Sequence, residues 1–147
     1  MISSLSTATK DLLKIGEVAS ASGLPVKTIR YYEEIGLLAP TVERSSSGYR
    51  LFTQQALDRL SFIRRAQSLG LSLTEVQQIL DVHDQGQLPC GEVRQHLEAK
   101  IAEINQQVEA LKTLKGELLG ILSGWQDQPP LDEQDQTICP NLQRSLD

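Results

Sequence analysis

Two groups of side chains in this chain are equipped for chemistry: a pair of thiols, Cys90 and Cys139, and a basic and aromatic set running from Lys27 to Arg50. Thiolates bind soft metal ions and undergo reversible oxidation. The second set suits nucleic acid. An arginine reads a guanine edge through two parallel hydrogen bonds, while lysine, threonine and tyrosine hold phosphates and fix register. Lys27, Thr28, Arg30 and Tyr31 supply those types within one short stretch, and Arg44, Tyr49 and Arg50 supply them again further on. An enzyme using Cys90 as nucleophile would need a base and an orienting carboxylate at suitable spacing, and a phosphate enzyme would need a glycine-rich loop. Neither pattern occurs, so no enzyme is expected. A coiled-coil adaptor with no DNA role is the other class to separate.

The elements that must position these groups follow from apolar periodicity. Ile15, Val18 and Ala19 mark a first helix that stops near Gly23. Pro25 suits the start of a second, with Ile29, Tyr32 and Ile35 inward and Lys27, Thr28, Arg30 and Tyr31 outward. Glu33 and Glu34 read as solvated charges. Helix, tight turn, helix is the arrangement in which the second helix enters the major groove. Thr41 to Phe52 is too irregular for a helix, and Ser45-Ser46-Ser47-Gly48 is a turn between two short extended segments. That turn projects Arg44, Tyr49 and Arg50 as a wing. Thr53 is placed as the cap of a helix through Ala56, Leu57, Leu60, Ile63 and Ala66. After Gly70, Ser72 or Thr74 opens another through Val76, Ile79 and Leu80.

A Gln-, Gly- and Pro-rich linker leads to Cys90, which opens a long helical pattern. Val93, Leu97, Ile101, Ile104, Val108, Leu111, Leu114, Leu118 and Ile121 recur at steps of three or four without a proline. So narrow a seam on so long a helix needs a partner, either its own N-terminal domain or the same helix of a second copy. The start of that helix, with its unpaired amide groups, favours negative charge. Trp125 to Gln136 is a Pro- and acid-rich loop before Ile138-Cys139-Pro140-Asn141-Leu142. His96, six residues beyond Cys90 and off its helical face, reads as a solvated polar residue; His83 is the other histidine.

Composition sets the outer bounds. Apolar residues at 39% and charged residues at 22% describe an ordered, soluble chain, and aromatics at 4% leave aliphatic helix packing to build the core. No apolar run is long enough to span a membrane, and Met1 to Thr9 lacks the apolar stretch of a secretory signal. A cytoplasmic protein with reduced thiols is therefore expected, and a structural disulfide is not. Metal binding, redox chemistry and plain burial stay open for the cysteines. The net charge of −5 conceals an asymmetry: residues 1–65 carry nine Lys/Arg against six Asp/Glu, and residues 66–147 carry five against thirteen. A basic head on an acidic body fits a local DNA-binding surface.

Ile15-Gly16-Glu17-Val18-Ala19, the run Thr28-Ile29-Arg30-Tyr31-Tyr32-Glu33-Glu34-Ile35-Gly36-Leu37-Leu38, Gly48-Tyr49-Arg50-Leu51-Phe52 and Leu69-Gly70-Leu71-Ser72-Leu73 closely resemble the successive signatures of the MerR family of bacterial regulators. The resemblance runs from residue 14 to about 122. It implies a mainly α fold: a winged helix-turn-helix domain, a connecting helix pair and a long antiparallel coiled-coil dimerisation helix. It further implies a homodimer whose paired recognition helices read an inverted repeat in promoter DNA, and which distorts that DNA so that RNA polymerase can use the promoter. By motif, Lys27, Arg30 and Tyr32 with Tyr49 and Arg50 become the expected DNA contacts, although the helical wheel turns Tyr32 inward.

The same resemblance bears on the thiols. Metal-responsive members carry a cysteine at the start of the dimer helix and more in the loop after it, and the helix-start cysteine accompanies response to divalent ions. Within one chain that helix separates the two cysteines by about 45 Å; an antiparallel partner would bring Cys90 of one copy to Cys139 of the other. The family's divalent sensors usually show two loop cysteines, but Leu122-Ser123-Gly124-Trp125-Gln126 holds none. Two thiolates suit mercury(II), whereas zinc(II) would need help from residues such as Asp132, Glu133 or Asp135. The expectation is thus a promoter-distorting activator with a divalent metal effector at Cys90 and Cys139, mercury(II) ahead of zinc(II), cadmium(II) or lead(II). The alternative effector is an organic ligand or thiol oxidation. The expected divisions are a disordered 1–12, a winged helix-turn-helix domain over 13–83, a linker at 84–91, a dimerisation helix at 92–123 and a metal-binding loop and tail at 124–147.

Overall fold

A computed structural model describes residues 12–130, 132 and 137–144. They fall into two compact units that divide between Lys100 and Ile101. The stretch expected to be a disordered N-terminus lies, apart from Leu12, outside the described residues.

The first unit begins with α1 (Ile15–Ser22) and α2 (Val26–Glu34). The Lys14 amide donates to the Glu17 carboxylate at 2.8 Å, which satisfies one of the helix's open N–H groups. Gly23 ends α1 at φ 75°, a left-handed backbone that glycine adopts without strain, and its N–H closes on the Ala19 carbonyl. Ile29 and Tyr32 of α2 are buried as their three-residue spacing requires, but Ile35 is 42% exposed. The helix stops at Glu34, and Ile35 is turned outward by the change of backbone direction into Gly36. Leu37 and Leu38 take the core positions instead.

After a 3-10 turn at Ala39–Thr41, β1 (Val42–Arg44) and β2 (Arg50–Phe52) pair antiparallel in the register Val42↔Phe52, Glu43↔Leu51 and Arg44↔Arg50. Leu13 adds a bridge on the far side of Phe52 through two main-chain hydrogen bonds of 2.7 and 2.8 Å. Phe52 is fully buried, so this small sheet is pinned by one aromatic ring. Helix α3 (Gln55–Ser68) follows, with Gln54 rather than Thr53 at its cap position. Helix α4 (Leu73–Asp84) starts at Ser72, where the Ser72 hydroxyl accepts from the Glu75 amide and the Glu75 carboxylate accepts from the Ser72 amide. Ala56, Leu60, Ile63 and Ala66 of α3 meet Val76, Ile79 and Leu80 of α4 in one aliphatic core.

One charged side chain enters that core. Arg59 is 7% exposed, and its Nε donates to the Leu37 carbonyl. Its two terminal nitrogens hold both carboxylate oxygens of Asp84, at 2.7 and 2.9 Å. Helix α5 (Cys90–Ser123) opens two residues before the expected start at 92. Its first turns belong to the first unit, where Val93 packs on the core and the Lys100 stem lies 3.7 Å from where a Cβ on Gly70 would stand.

The second unit carries the rest of α5 and a short α6 (Pro140–Gln143). Here Ile101, Ile104, Val108, Leu111, Leu114 and Leu118 are between 43% and 64% exposed. The seam is left uncovered by the chain's own described residues. Among those residues, no helix is long and apolar enough to cross a membrane.

The Arg59–Asp84 pair generates a stability prediction. Replacing Asp84 by Asn leaves a buried guanidinium without its counter-charge and should cost about 3 kcal/mol, read as a lower urea midpoint. The Arg59 guanidinium holds the Asp84 carboxyl below its usual value. The stabilisation is therefore full above the ordinary carboxylate range and is lost as pH falls through it towards the lowered value. D84N should flatten that acid limb of the stability profile; an unchanged limb would remove the pair from the account.

Candidate functional site

The start of α1 and the β1–β2 hairpin enclose an open cleft of about 1380 Å³, to which α2 contributes Arg30. Its walls include Lys14, Arg30, Ser45, Ser47, Tyr49 and Arg50. Arg30 reaches it because α2 is amphipathic: with Ile29 and Tyr32 fixed in the core, the intervening positions face outward. The wing tip is built by its serines. The Ser45 amide donates to the Tyr49 carbonyl, and the Tyr49 amide returns to the Ser45 hydroxyl at 3.0 Å. Gly48, at φ 88°, closes the turn with its amide on the Ser45 carbonyl. Arg44 Nη1 donates to the Gly48 carbonyl at 3.0 Å, stiffening the wing from its side. Tyr49 is left 72% exposed at the edge of the cleft.

Arg50 does more than project. Its guanidinium pairs with Glu33 on α2, joining wing to helix. Glu33 is accordingly not the solvated charge expected from the sequence: its side chain is only 18% exposed. A guanidinium has five N–H donors in a planar fork, so this pairing leaves others for a further acceptor.

Of the residues singled out by sequence, the structure gathers Arg30, Tyr49 and Arg50 around the cleft. Lys27 and Tyr31 are exposed and Thr28 half-buried elsewhere on α2, with Arg44 on the wing's outer edge. Tyr32, expected at the DNA by motif and inward by the helical wheel, lies inward. It is 6% exposed, and its hydroxyl donates to Gln67 Oε1 on α3 at 2.7 Å. Burial, with neighbouring Tyr31 adding, raises its pKa above the ordinary phenol value. The inward position given by the helical wheel is the one the chain adopts. Lys14, Ser45 and Ser47 were not singled out; a basic residue directly before the first helix was the signal available for Lys14.

Both thiols are free, Cys90 exposed as the first residue of α5 and Cys139 half-buried just before α6. His96 is not solvated as expected. Its side chain is 14% exposed, with Nδ1 3.4 Å from Glu75 and Nε2 3.2 Å from Glu92. Both ring nitrogens are thereby engaged, and α5 is tied to α4. The Ser72 amide leads the causes that hold the Glu75 carboxyl below its usual value, with the Ser72 hydroxyl, Lys100 and His96 adding and desolvation opposing. Among the described residues no three His, Cys, Asp or Glu side chains form a group able to hold a metal ion. Glu133 and Asp135, considered above as helpers, lie outside the described residues, while Asp132 is exposed.

Comparison with known proteins agrees with this geometry. The family profile described as MerR HTH family regulatory protein matches residues 13–82, and that described as MerR, DNA binding matches residues 57–121. The mercuric resistance operon regulatory protein of Bacillus cereus is 40% identical over 108 residues, which cover 74% of this chain and 81% of the relative. The crystal structure of the transcription regulator PbrR691 from Ralstonia metallidurans in complex with lead(II) superposes with a TM-score of 0.70 at 32% identity, over 90% of this chain and 98% of that one. HiNmlR, a MerR family regulator lacking the sensor domain and bound to promoter DNA, gives a TM-score of 0.52 at 26% identity, over 77% of this chain and 89% of that one.

The position of Tyr32 separates a packing role from a binding role. Tyr32→Phe should lower stability by about 1 kcal/mol through loss of the Gln67 hydrogen bond and leave nucleic-acid affinity unchanged. Chemical denaturation and a DNA titration measure the two effects, and lost affinity at full stability would put the hydroxyl on the ligand.

Proposed function

Because the chain belongs to the MerR family of helix-turn-helix regulators, which are not enzymes, we propose that it is a homodimeric transcription activator, reading an inverted-repeat promoter operator and responding to a soft divalent metal ion. The observation that carries the DNA half is the cleft between α1 and the wing, where α2 brings Arg30 beside Tyr49 and Arg50. Arg30 is assigned to base edges. Lys27, Thr28, Tyr31 and Arg44 are assigned to phosphates beside the groove, with Tyr49 and Arg50 holding the backbone at the wing. Tyr32 acts from the core, fixing α2 against α3 through Gln67. Distortion of the promoter then presents it to RNA polymerase in the cytoplasm.

The homodimer is supported by the uncovered seam from Ile101 to Leu118. Each such side chain contributes about 1.5–3 kcal/mol when fully buried, and a second copy offers the matching stripe. For the effector, the two free thiols are the soft ligands available, Cys90 of one copy with Cys139 of the other. Two thiolates suit mercury(II), which accepts low coordination, and the similarity to a mercuric resistance regulator supports it. Lead(II), the ion in the similar PbrR691 structure, and zinc(II) or cadmium(II) would need further ligands. His96 is not one of them while Glu75 and Glu92 hold both its nitrogens.

Two measurements test the reading. Arg30→Ala should weaken operator binding by about 1–3 kcal/mol and relax specificity at one position, whereas Lys27→Ala should weaken all sequences alike and reduce the salt slope by about one. Mercury(II) chloride should give a thiolate-to-metal charge-transfer band saturating at one ion per dimer-spanning pair, abolished by C90S or C139S. Absence of that band, with promoter transcription unmoved by mercury(II), lead(II), zinc(II) or cadmium(II), sinks the metal response in favour of an organic ligand or thiol oxidation.

A further inference from the structure

The loop that delivers Cys139 is closed by the protein's own hydrogen bonds. Gln126 lies just past the end of α5, and one side chain holds both polar groups of its main chain. The Gln126 amide donates to Asn141 Oδ1 at 2.7 Å, and Asn141 Nδ2 donates to the Gln126 carbonyl at 2.7 Å. Asn141 is 7% exposed, and Arg144 Nη2 donates a further hydrogen bond to the same Oδ1. A buried amide satisfied at both ends by one residue's main chain copies the pairing of two adjacent strands, and it fixes where the loop begins and ends. On the other side of the thiol, Gln143 Oε1 accepts from the amides of Ile138 and Cys139 at 2.8 and 2.9 Å. Cys139 is extended at φ −137°, and its carbonyl accepts from the amides of Leu142 and Gln143. Its main chain is therefore bound on both polar sides, while its Sγ stays free.

None of these groups is a candidate ligand. The Asn141 oxygen and nitrogen are taken by Gln126 and Arg144, and the Gln143 oxygen by two amides. Their effect is on entropy. Fixing the backbone of a residue costs about 1–2 kcal/mol, and a thiol on an unclosed loop would charge that cost to metal binding. Closing the loop beforehand leaves less freedom to be lost when the ligand arrives.

Resting on the metal response proposed for Cys90 and Cys139, we infer that Asn141 is a positioning residue for metal capture, locking Gln126 to the far end of the loop so that Cys139 is presented before metal binds. Metal affinity thus depends on a side chain that never touches the ion.

Two readouts on the full-length protein test this. In the metal-free state the amides of Gln126 and Cys139 should exchange slowly with deuterium, and Asn141→Ala should release Gln126. With mercury(II) chloride, titrated against a competing small thiol, N141A should reach half-saturation at roughly tenfold higher free metal, the effect of one to two net hydrogen bonds. The final charge-transfer band and the operator affinity should match the parent. Asn141→Asp, which keeps the acceptor and loses the donor, should fall between the two. Free exchange at Gln126 in the metal-free parent, or a parent-like titration by N141A, overturns the inference. If the parent itself gives no charge-transfer band, the metal reading fails and takes the positioning role with it, whereas slow exchange at Gln126 would still show a closed loop of other purpose.

Discussion

A guanidinium inside an aliphatic core is the constraint around which the first unit is arranged. Arg59 is almost wholly buried, so every donor it buries must find an acceptor or cost stability. Its Nε takes the Leu37 carbonyl, just beyond the end of α2, and its terminal nitrogens take Asp84, the last residue of α4. Three elements that hydrophobic contact alone would hold loosely are thereby given one mutual orientation. The end of the helix that faces the cleft and the end of the helix that leads into α5 share a single charged side chain. Hydrophobic burial supplies most of the stability, and the ion pair supplies the geometry.

That constraint also explains what the sequence made legible. Helices α1 to α5 could be read because aliphatic residues recur at helical spacing between glycines and prolines, and the wing because Ser45 to Gly48 could not continue either element. The outward face of α2 followed once Ile29 and Tyr32 were turned inward. Contacts between elements far apart in the chain were hidden. Arg59 reads as one more charge on an exposed helix face, and nothing local announces Asp84 as its partner. Glu33 and His96 look solvated for the same reason: burial of a charged side chain depends on which neighbour the fold delivers, here Arg50 and the pair Glu75 and Glu92. Ile35 failed in the opposite sense, since periodicity ran past the point where Gly36 redirects the backbone.

In the proposed function, the start of α5 is where DNA binding and metal response would be coupled. Its first turns are held to the DNA-facing unit by three dissimilar contacts: Val93 in the core, His96 between Glu75 and Glu92, and the Lys100 stem against Gly70. Cys90 stands at the head of that same helix. The first turns of that helix are clasped by α4, and α4 is joined through Asp84 and Arg59 to the end of α2. The chain of contacts is continuous and physical, although coupling along it is a property of two-state elements and not of adjacency alone.

The exposed seam and the thiols make one demand between them. A helix that leaves eight large aliphatic side chains exposed gains from a partner that covers it, because each is worth more buried than the conformational freedom it would lose. Among the described residues, likewise, no three-ligand cluster is assembled for a metal ion. In the proposed dimer a second copy would answer both deficits at once, covering the seam and adding a thiol. The polar side chains near the cysteines do not widen that ligand set: His96 is held by two carboxylates, and Asn141 and Gln143 are spent on the backbone that presents Cys139. In the proposed function, two sulfur atoms would form a site that rewards an ion content with two ligands and penalises one that requires four. On this reading selectivity comes as much from what the surrounding hydrogen bonds withhold as from what the cysteines provide.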